Sequence, residues 1–293
     1  MKSNSILLRP LVASAVSIAA FKAPRNFIQA YAALAPRQVA TSLHNLFVAQ
    51  GKLYFGNIAD SGTLSKDQNV AILKAGFGQI TPENSIQWEA IQPTEGQFNF
   101  DGPDEVTHAS TVMGQYKGQF RAVLGDHCVR IAFEAAREAD PDAKLYINDF
   151  GLGSAETPKL TTVMVEHVTN WLAEGVPIDG IAALSHIGSQ THIVEGQAAG
   201  VRAALEALAA TGVSEIAVTE LDIADANTCL AIESCVGVTV WGVSDADSWR
   251  PAENPLLFDA SFQQKAAYGT ATTSISGSAF SSILYKVIGA GAA

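Results

Sequence analysis

From residue 53 onward, runs rich in β-branched and aromatic residues alternate with stretches of helical period, and this order constrains the fold more than any other feature of the chain. Parallel strands need a crossover of about a dozen residues or more between them, usually a helix. A repeated strand–helix order therefore implies an α/β fold around a parallel sheet. LYFGNIA (53–59) reads as a strand, followed by a helix from Asp67 to Lys74. GQITPEN (78–84) is the next strand, halted by Pro82. A helix from Val129 to Glu138 stops at Asp140 and Pro141, and KLYINDF (144–150) is a strand ending in Asn148 and Asp149. Thr157 and Pro158 open a helix with Leu160, Met164, His167, Val168 and Trp171 on its apolar face. A strand lies between Gly180 and His192, and a helix from Val201 to Ala210 ends at Gly212. EIAVTEL (215–221) and GVTVWGV (237–243) complete six strands. A closed barrel of this class has eight, in about 250 residues. The interval 84–144 has room for two more βα units, yet its only strand candidate is a weak one, GQFRAVLG (118–125).

Composition narrows the partners. The net charge of -11 and pI near 4.9 argue against nucleic acid and anionic membranes. Lys2 and Arg9 precede an apolar stretch (11–20) too short to span a bilayer, the pattern of an export signal with cleavage between Ala20 and Ala35, the alternative being a mitochondrial-type presequence or a mis-assigned start. The expected organisation is a leader over 1–35, a barrel over 36–268 and a flexible Gly/Ser/Thr-rich tail over 269–293. Secretion would permit a disulfide between Cys229 and Cys235, leaving Cys128 over.

The chemistry points to strand ends. IAVTELDIAD (216–225) is a buried-type strand that delivers Glu220 at its C-terminal end, where α/β enzymes keep their chemistry. Desolvating a carboxylate without partners is costly, which makes Glu220 a catalytic candidate or else a buried ion-pair member. Glu83 and Asn84, Asn148 and Asp149, Gln190 and His192, and Trp241 with Trp249 occupy equivalent places. Amides, carboxylates and indoles suit a carbohydrate cleft, since indole faces pack on the C–H faces of sugar rings. No glycine-rich phosphate loop precedes a helix, so no nucleotide cofactor is expected. The histidines lack paired ligand spacing, so no metal is expected either.

The segments KLYFGNIADSGTL, GQITPENSIQWEAIQPTEGQFNF, DPDAKLYINDF, GSQTH, IAVTELDIA, CVGVTVWGVSDADSWR and NPLLFD, in this order between about residues 52 and 268, resemble the family 10 glycoside hydrolases, the endo-1,4-β-xylanases, and most closely secreted fungal members. The resemblance implies a (β/α)8 barrel that hydrolyses xylan with retention of anomeric configuration, acts as a monomer on xylan or xylo-oligosaccharides, and needs no cofactor. It makes Glu220 the nucleophile and His192 the group that hydrogen-bonds and tunes it. Glu83, Asn84, Gln87, Gln190, Trp241 and Trp249 become sugar contacts, with core packing as the plain alternative for His192 and the tryptophans. Asp222, two residues from Glu220 and so on the same side of a strand, becomes its support. Asn148 and Asp149 fit the site or a cap on the strand-to-helix turn equally well.

The chain also departs from the family. Retaining hydrolysis needs a second carboxyl ~5–5.5 Å from the nucleophile, acting as acid and then base. In the family this is a Glu after an Asn at the end of the fourth strand, and no such pair stands after a strand here. GPDEV (102–106) runs directly into THASTVMGQYKG (107–118), which matches the helix after strand three, so strands three and four are expected to be absent. Glu105 and Glu134 are the nearest carboxylates, both in expected helices away from the barrel mouth. Gln87 replaces a lysine, AALSHI is inserted between Ile181 and Gly188, and 225–229 is short for a connecting helix. Sharp edges inside core strands imply a mis-joined gene or pseudogene, because evolutionary trimming falls on loops. The expectation is a xylanase by family with little activity of its own, the alternatives being a non-catalytic xylan-binding protein or a product that does not function.

Overall fold

The computed structural model describes residues 41–85, 90, 93–94, 97, 99, 127–184, 197–221 and 226–277, with the backbone of 111–114. Helix α1 (Leu43–Ala49) opens on Ser42, whose hydroxyl accepts the Asn45 N–H, and it buries Leu43 and Phe47 one turn apart. Phe47 meets Phe55 of strand β1 (Tyr54–Ile58) edge-on at 5.5 Å. There follow α2 (Ser61–Leu64), α3 (Asp67–Gly76), β2 (Ile80–Thr81), β3 (Thr111–Gly114) and α4 (His127–Ala139). Next come β4 (Lys144–Phe150), a π-helical turn (Lys159–Met164) continued by α5 (Val165–Ala173), and β5 (Gly180–Leu184). The described residues end with α6 (Gln197–Ala209), β6 (Glu215–Leu221), α7 (Ala226–Leu230), β7 (Cys235–Val240) and α8 (Ala266–Ile275).

The strands form one parallel sheet in the order β2-β1-β7-β6-β5-β4-β3. Alternation sorts their side chains into two layers. Phe55, Ile147, Ile181, Ala183, Ile216, Val218, Val238 and Val240 face the helices and join Leu160, Val168, Leu205 and Leu208 in the main core. The opposite face carries a separate cluster of Tyr146, Ala182 and Ala217. Tyr146 lies over Gly180 and Tyr54 over Gly237, where an added Cβ would come within 2.3 Å of either ring. These two glycines make room for the aromatic floor of the concave face.

All six expected strands are present, and the barrel is incomplete as expected: β2 and β3 are the two ends of the sheet among the described residues. One local expectation is corrected. Thr111–Gly114, read from sequence as part of a helix, is a strand in register with Lys144–Ile147. The outer edge of β4 offers a ladder of main-chain donors and acceptors, and pairing with it outweighs local helical preference. The strand candidate at 118–125 lies outside the described residues.

A second correction concerns the C-terminal segment, expected to be flexible from Gly269 onward. It is helical through Ile275, because Tyr268, Ala271 and Ile275 recur at helical spacing and bury against the core. The hydroxyls that suggested a linker bond back one turn instead: Thr270 to the Ala266 carbonyl, Thr272 to Tyr268 and Thr273 to Gly269. The Tyr268 hydroxyl donates to the Thr41 carbonyl at 2.7 Å and ties this helix to the start of the described chain.

The connection before β7, expected to be short, holds the five-residue α7 among the described residues, and a Cys229–Cys235 disulfide fastens it to the first residue of β7. Cys128 is buried and unbridged. Ala182 and Ala183, expected to be inserted, sit within β5, paired with Asn148 and Asp149 on one side and Ala217 and Val218 on the other. No helix among the described residues is long and apolar enough to cross a membrane.

Candidate active site

The end of β6 is irregular in a way its sequence does not announce. Val218 pairs with Val238 and Leu221 with Val240, so β6 spends three residues where β7 spends two. The extra residue is a bulge, and Glu220 within it has φ 57°, in the left-handed region. A side chain other than glycine pays roughly 1–2 kcal/mol to stand there. Strict alternation would send Glu220 toward the helices with Ile216 and Val218; the bulge breaks that alternation. Glu220 is 7% exposed, and its charge helps raise the proton affinity of Glu83 at the end of β2, placing the two carboxyls at the same rim. Asp222, expected to support Glu220, lies outside the described residues.

Glu83 and Asn84 follow β2, and Asp60, just beyond β1, holds them by their main chain. Its carboxylate accepts the N–H groups of Glu83, Asn84 and Ser85 at 3.0, 2.7 and 3.2 Å. Burial pushes the half-buried Glu83 carboxyl up, and the neighbouring charges of Asp60 and Glu220 push it further.

On β4 the structure separates the two residues that the sequence left open. Asn148 shares the concave face with Tyr146 and accepts the Thr219 hydroxyl at 2.8 Å, next to Glu220. Asp149 faces the other way, accepts the Phe150 N–H at 2.8 Å and pairs with Lys159 at 2.9 Å, which makes it the cap of the strand-to-helix turn.

The loop after β7 carries the tryptophans. Trp241 is half-buried and its main-chain N–H donates to the Leu221 carbonyl at 3.0 Å, beside the bulge. Trp249 is 58% exposed, with the Arg250 guanidinium 5.0 Å from its ring centre. Two acidic residues fix this loop. Asp245 accepts the Leu256 N–H at 2.9 Å and pairs with Lys265 at 2.7 Å, while Asp247 pairs with Lys66 and accepts Asn69 at 3.0 Å. Burial alone would raise Asp247, but the hydrogen bonds from Lys66 and Asn69 and the Lys66 charge hold its carboxyl below the usual range.

The structure thus gathers Glu220, Glu83, Asn84 and Trp241 around one rim. Gln87, Gln190 and His192 lie outside the described residues, as does Glu105. Glu134 is on the outer surface of α4, paired with Arg130 at 3.2 Å. No group of three or more potential metal ligands occurs among the described residues. Sequence reasoning missed Asp60 and Asp247; the strand-end Asp of NIADSG was the available signal for the first.

Residues 42–117 and 109–274 match the model of glycosyl hydrolase family 10. The two matches overlap at 109–117, so the chain meets the family pattern in two passes, with the break inside the interval from which strands were expected to be missing. The chain is 38% identical to endo-1,4-beta-xylanase 3 of Hypocrea jecorina, covering 92% of this chain and 98% of that protein. That alignment spans 350 positions against 293 residues here, and so it opens gaps within this chain. Endo-1,4-beta-xylanase 2 of Claviceps purpurea is 37% identical over 78% of this chain and 89% of its own length. Among solved structures, native xylanase 10B from Thermotoga maritima superposes with a TM-score of 0.67 at 19% identity, covering 81% of this chain and 98% of that one.

Proposed function

This chain belongs to glycosyl hydrolase family 10 and is a glycoside hydrolase by descent; on that premise we propose that it carries the nucleophilic half of a retaining endo-1,4-β-xylanase, with Glu220 as nucleophile and without the proton donor. The observation that supports this most is the left-handed bulge at Glu220, a strained residue at a strand end where packing alone would favour a regular ladder. Glu220 attacks the anomeric carbon of the sugar, the glycosidic C–O bond breaks, and a glycosyl-enzyme ester forms. In xylan the departing oxygen belongs to an unactivated sugar and needs a proton as it leaves. General acid catalysis is worth ~10²–10⁴-fold, so xylan turnover is slowed by about that factor. Glu83, Asn84, Trp241 and Trp249 are the sugar contacts of this reading, together with Gln87, Gln190 and the nucleophile-tuning His192.

The protein works outside the cell in this proposal. The leader-like N-terminus, the Cys229–Cys235 bridge, favoured in oxidising compartments, and the acidic surface support this. The deciding experiment compares xylan with a dinitrophenyl β-xylobioside, whose leaving group needs no proton, and traps the intermediate with its 2-fluoro analogue. Cleavage of the aryl substrate, slow xylan turnover and a label on the peptide containing Glu220 are the expected results. Full xylan turnover would disprove the loss of the acid. Binding of xylo-oligosaccharides without cleavage of either substrate would favour the second reading, a lectin-like xylan-binding protein, for which the missing acid is the motivating observation.

A further inference from the structure

Asp60 stands at the N-cap position of α2, where an Asp ordinarily accepts an N–H of the first turn. Here its side chain makes no such bond. Both carboxylate oxygens turn instead to a loop 23 to 25 residues away in sequence. Oδ1 accepts the Glu83 N–H at 3.0 Å and the Ser85 hydroxyl at 2.7 Å; Oδ2 accepts the Asn84 and Ser85 N–H groups at 2.7 and 3.2 Å. Three consecutive peptide groups are thus wrapped around one charged acceptor. Asn84 is exposed and Glu83 half-exposed, so water could have satisfied the same donors. What the carboxylate adds is a fixed main chain at a place where packing supplies little.

We infer that Asp60 is a positioning residue for sugar binding, clamping the backbone from which Glu83 and Asn84 project at the rim. The inference rests on the reading of those two residues as sugar contacts. A second consequence follows from charge. Burial, the Asp60 charge and the Glu220 charge all favour the neutral form of Glu83. A neutral carboxyl can donate a hydrogen bond to a sugar hydroxyl as well as accept one, whereas a carboxylate only accepts. Asp60 therefore sets both where Glu83 stands and over what pH range it can donate.

The test uses the whole protein, with calorimetric titration of xylotetraose and an NMR titration of ¹³C-labelled glutamate in the absence of sugar. Asp60→Ala is expected to weaken xylotetraose binding by about tenfold or more, as for loss of a charged hydrogen-bond partner. Asp60→Asn removes the charge with little change of shape and is expected to lower the Glu83 midpoint. If Asp60→Ala does not fold, Asp60→Asn carries both measurements. Binding by Asp60→Ala within twofold of the parent, or a Glu83 midpoint unmoved in Asp60→Asn, overturns the inference while leaving the proposed function standing. A folded parent that neither binds nor cleaves xylo-oligosaccharides overturns that function, and this inference with it.

Discussion

Glu215 opens strand β6 and Glu220 stands near its end, and the strand delivers them to opposite chemical situations. At the base of the sheet, Glu215 is paired with Lys144 at 2.8 Å and accepts the Tyr146 hydroxyl. Asp179 nearby is paired with Arg137 and accepts the Leu145 N–H at 2.8 Å. At the rim, Glu220 occupies a left-handed backbone residue, and its charge reaches Glu83, which also feels Asp60. Carboxylates at the base are matched with cations and donors, which suits stability. At the rim, Asp60 and Glu220 lie near enough to Glu83 to raise its proton affinity, which suits reaction. Two ends of one strand therefore carry two different selections.

The sharpest way to break this contrast is Glu220→Gln. It should reduce cleavage of the dinitrophenyl xylobioside by about 10³-fold or more without lowering the thermal midpoint. A variant that keeps its activity would move Glu220 to the structural class. Next in size, Glu215→Ala leaves the Tyr146 hydroxyl and Lys144 without their acceptor and should cost roughly 2–4 kcal/mol in urea denaturation. Its turnover of the aryl substrate, measured while folded, should be unchanged.

A smaller effect separates the ends by pH. Burial foremost, with the Glu215 charge adding and a Thr239 hydrogen bond opposing, pushes Tyr54 from 10.0 up to about 12. The native state then holds this proton more tightly than the unfolded chain does. Its contribution is complete below 10.0 and is lost as pH rises toward about 12. Urea midpoints across that range, with Tyr54→Phe as the comparison, should show the parent falling more steeply.

The smallest effect has the same sign with pH but lies at the rim. The raised Glu83 carboxyl means that its ionisation costs stability, a cost absent below the ordinary value of 4.5, growing as pH rises toward the folded value and complete above it. Glu83→Gln should stabilise the protein at neutral pH by roughly 0.5–1 kcal/mol, the gain fading on acidification, while sugar affinity falls. Destabilisation by Glu83→Gln at neutral pH would put the rim and the base in one class.

These contrasts were only partly legible in the sequence. The six strands were, because β-branched runs bounded by Gly, Pro and Asp have one economical reading, and so was Glu220 as a strand-end carboxylate. Its bulge was not, since nothing in a glutamate encodes a left-handed φ; the bulge shows only in the register against β7. The Asp60 clamp joins two segments through main-chain donors, which carry no sequence signature. The tail was misread because the hydroxyl content of 269–276 was weighed above the spacing of Tyr268, Ala271 and Ile275. Strand β3 was missed because a four-residue pairing is decided by the edge it meets rather than by its own residues.

β5 keeps step with both neighbours through Ala182 and Ala183, residues that the sequence alone led us to expect as an insertion. Main-chain ladders are indifferent to the names of the side chains they carry. A scaffold of this kind can accept foreign masonry in its wall and remain upright. Such an injury would pass any melting curve and be felt first in the rate constant.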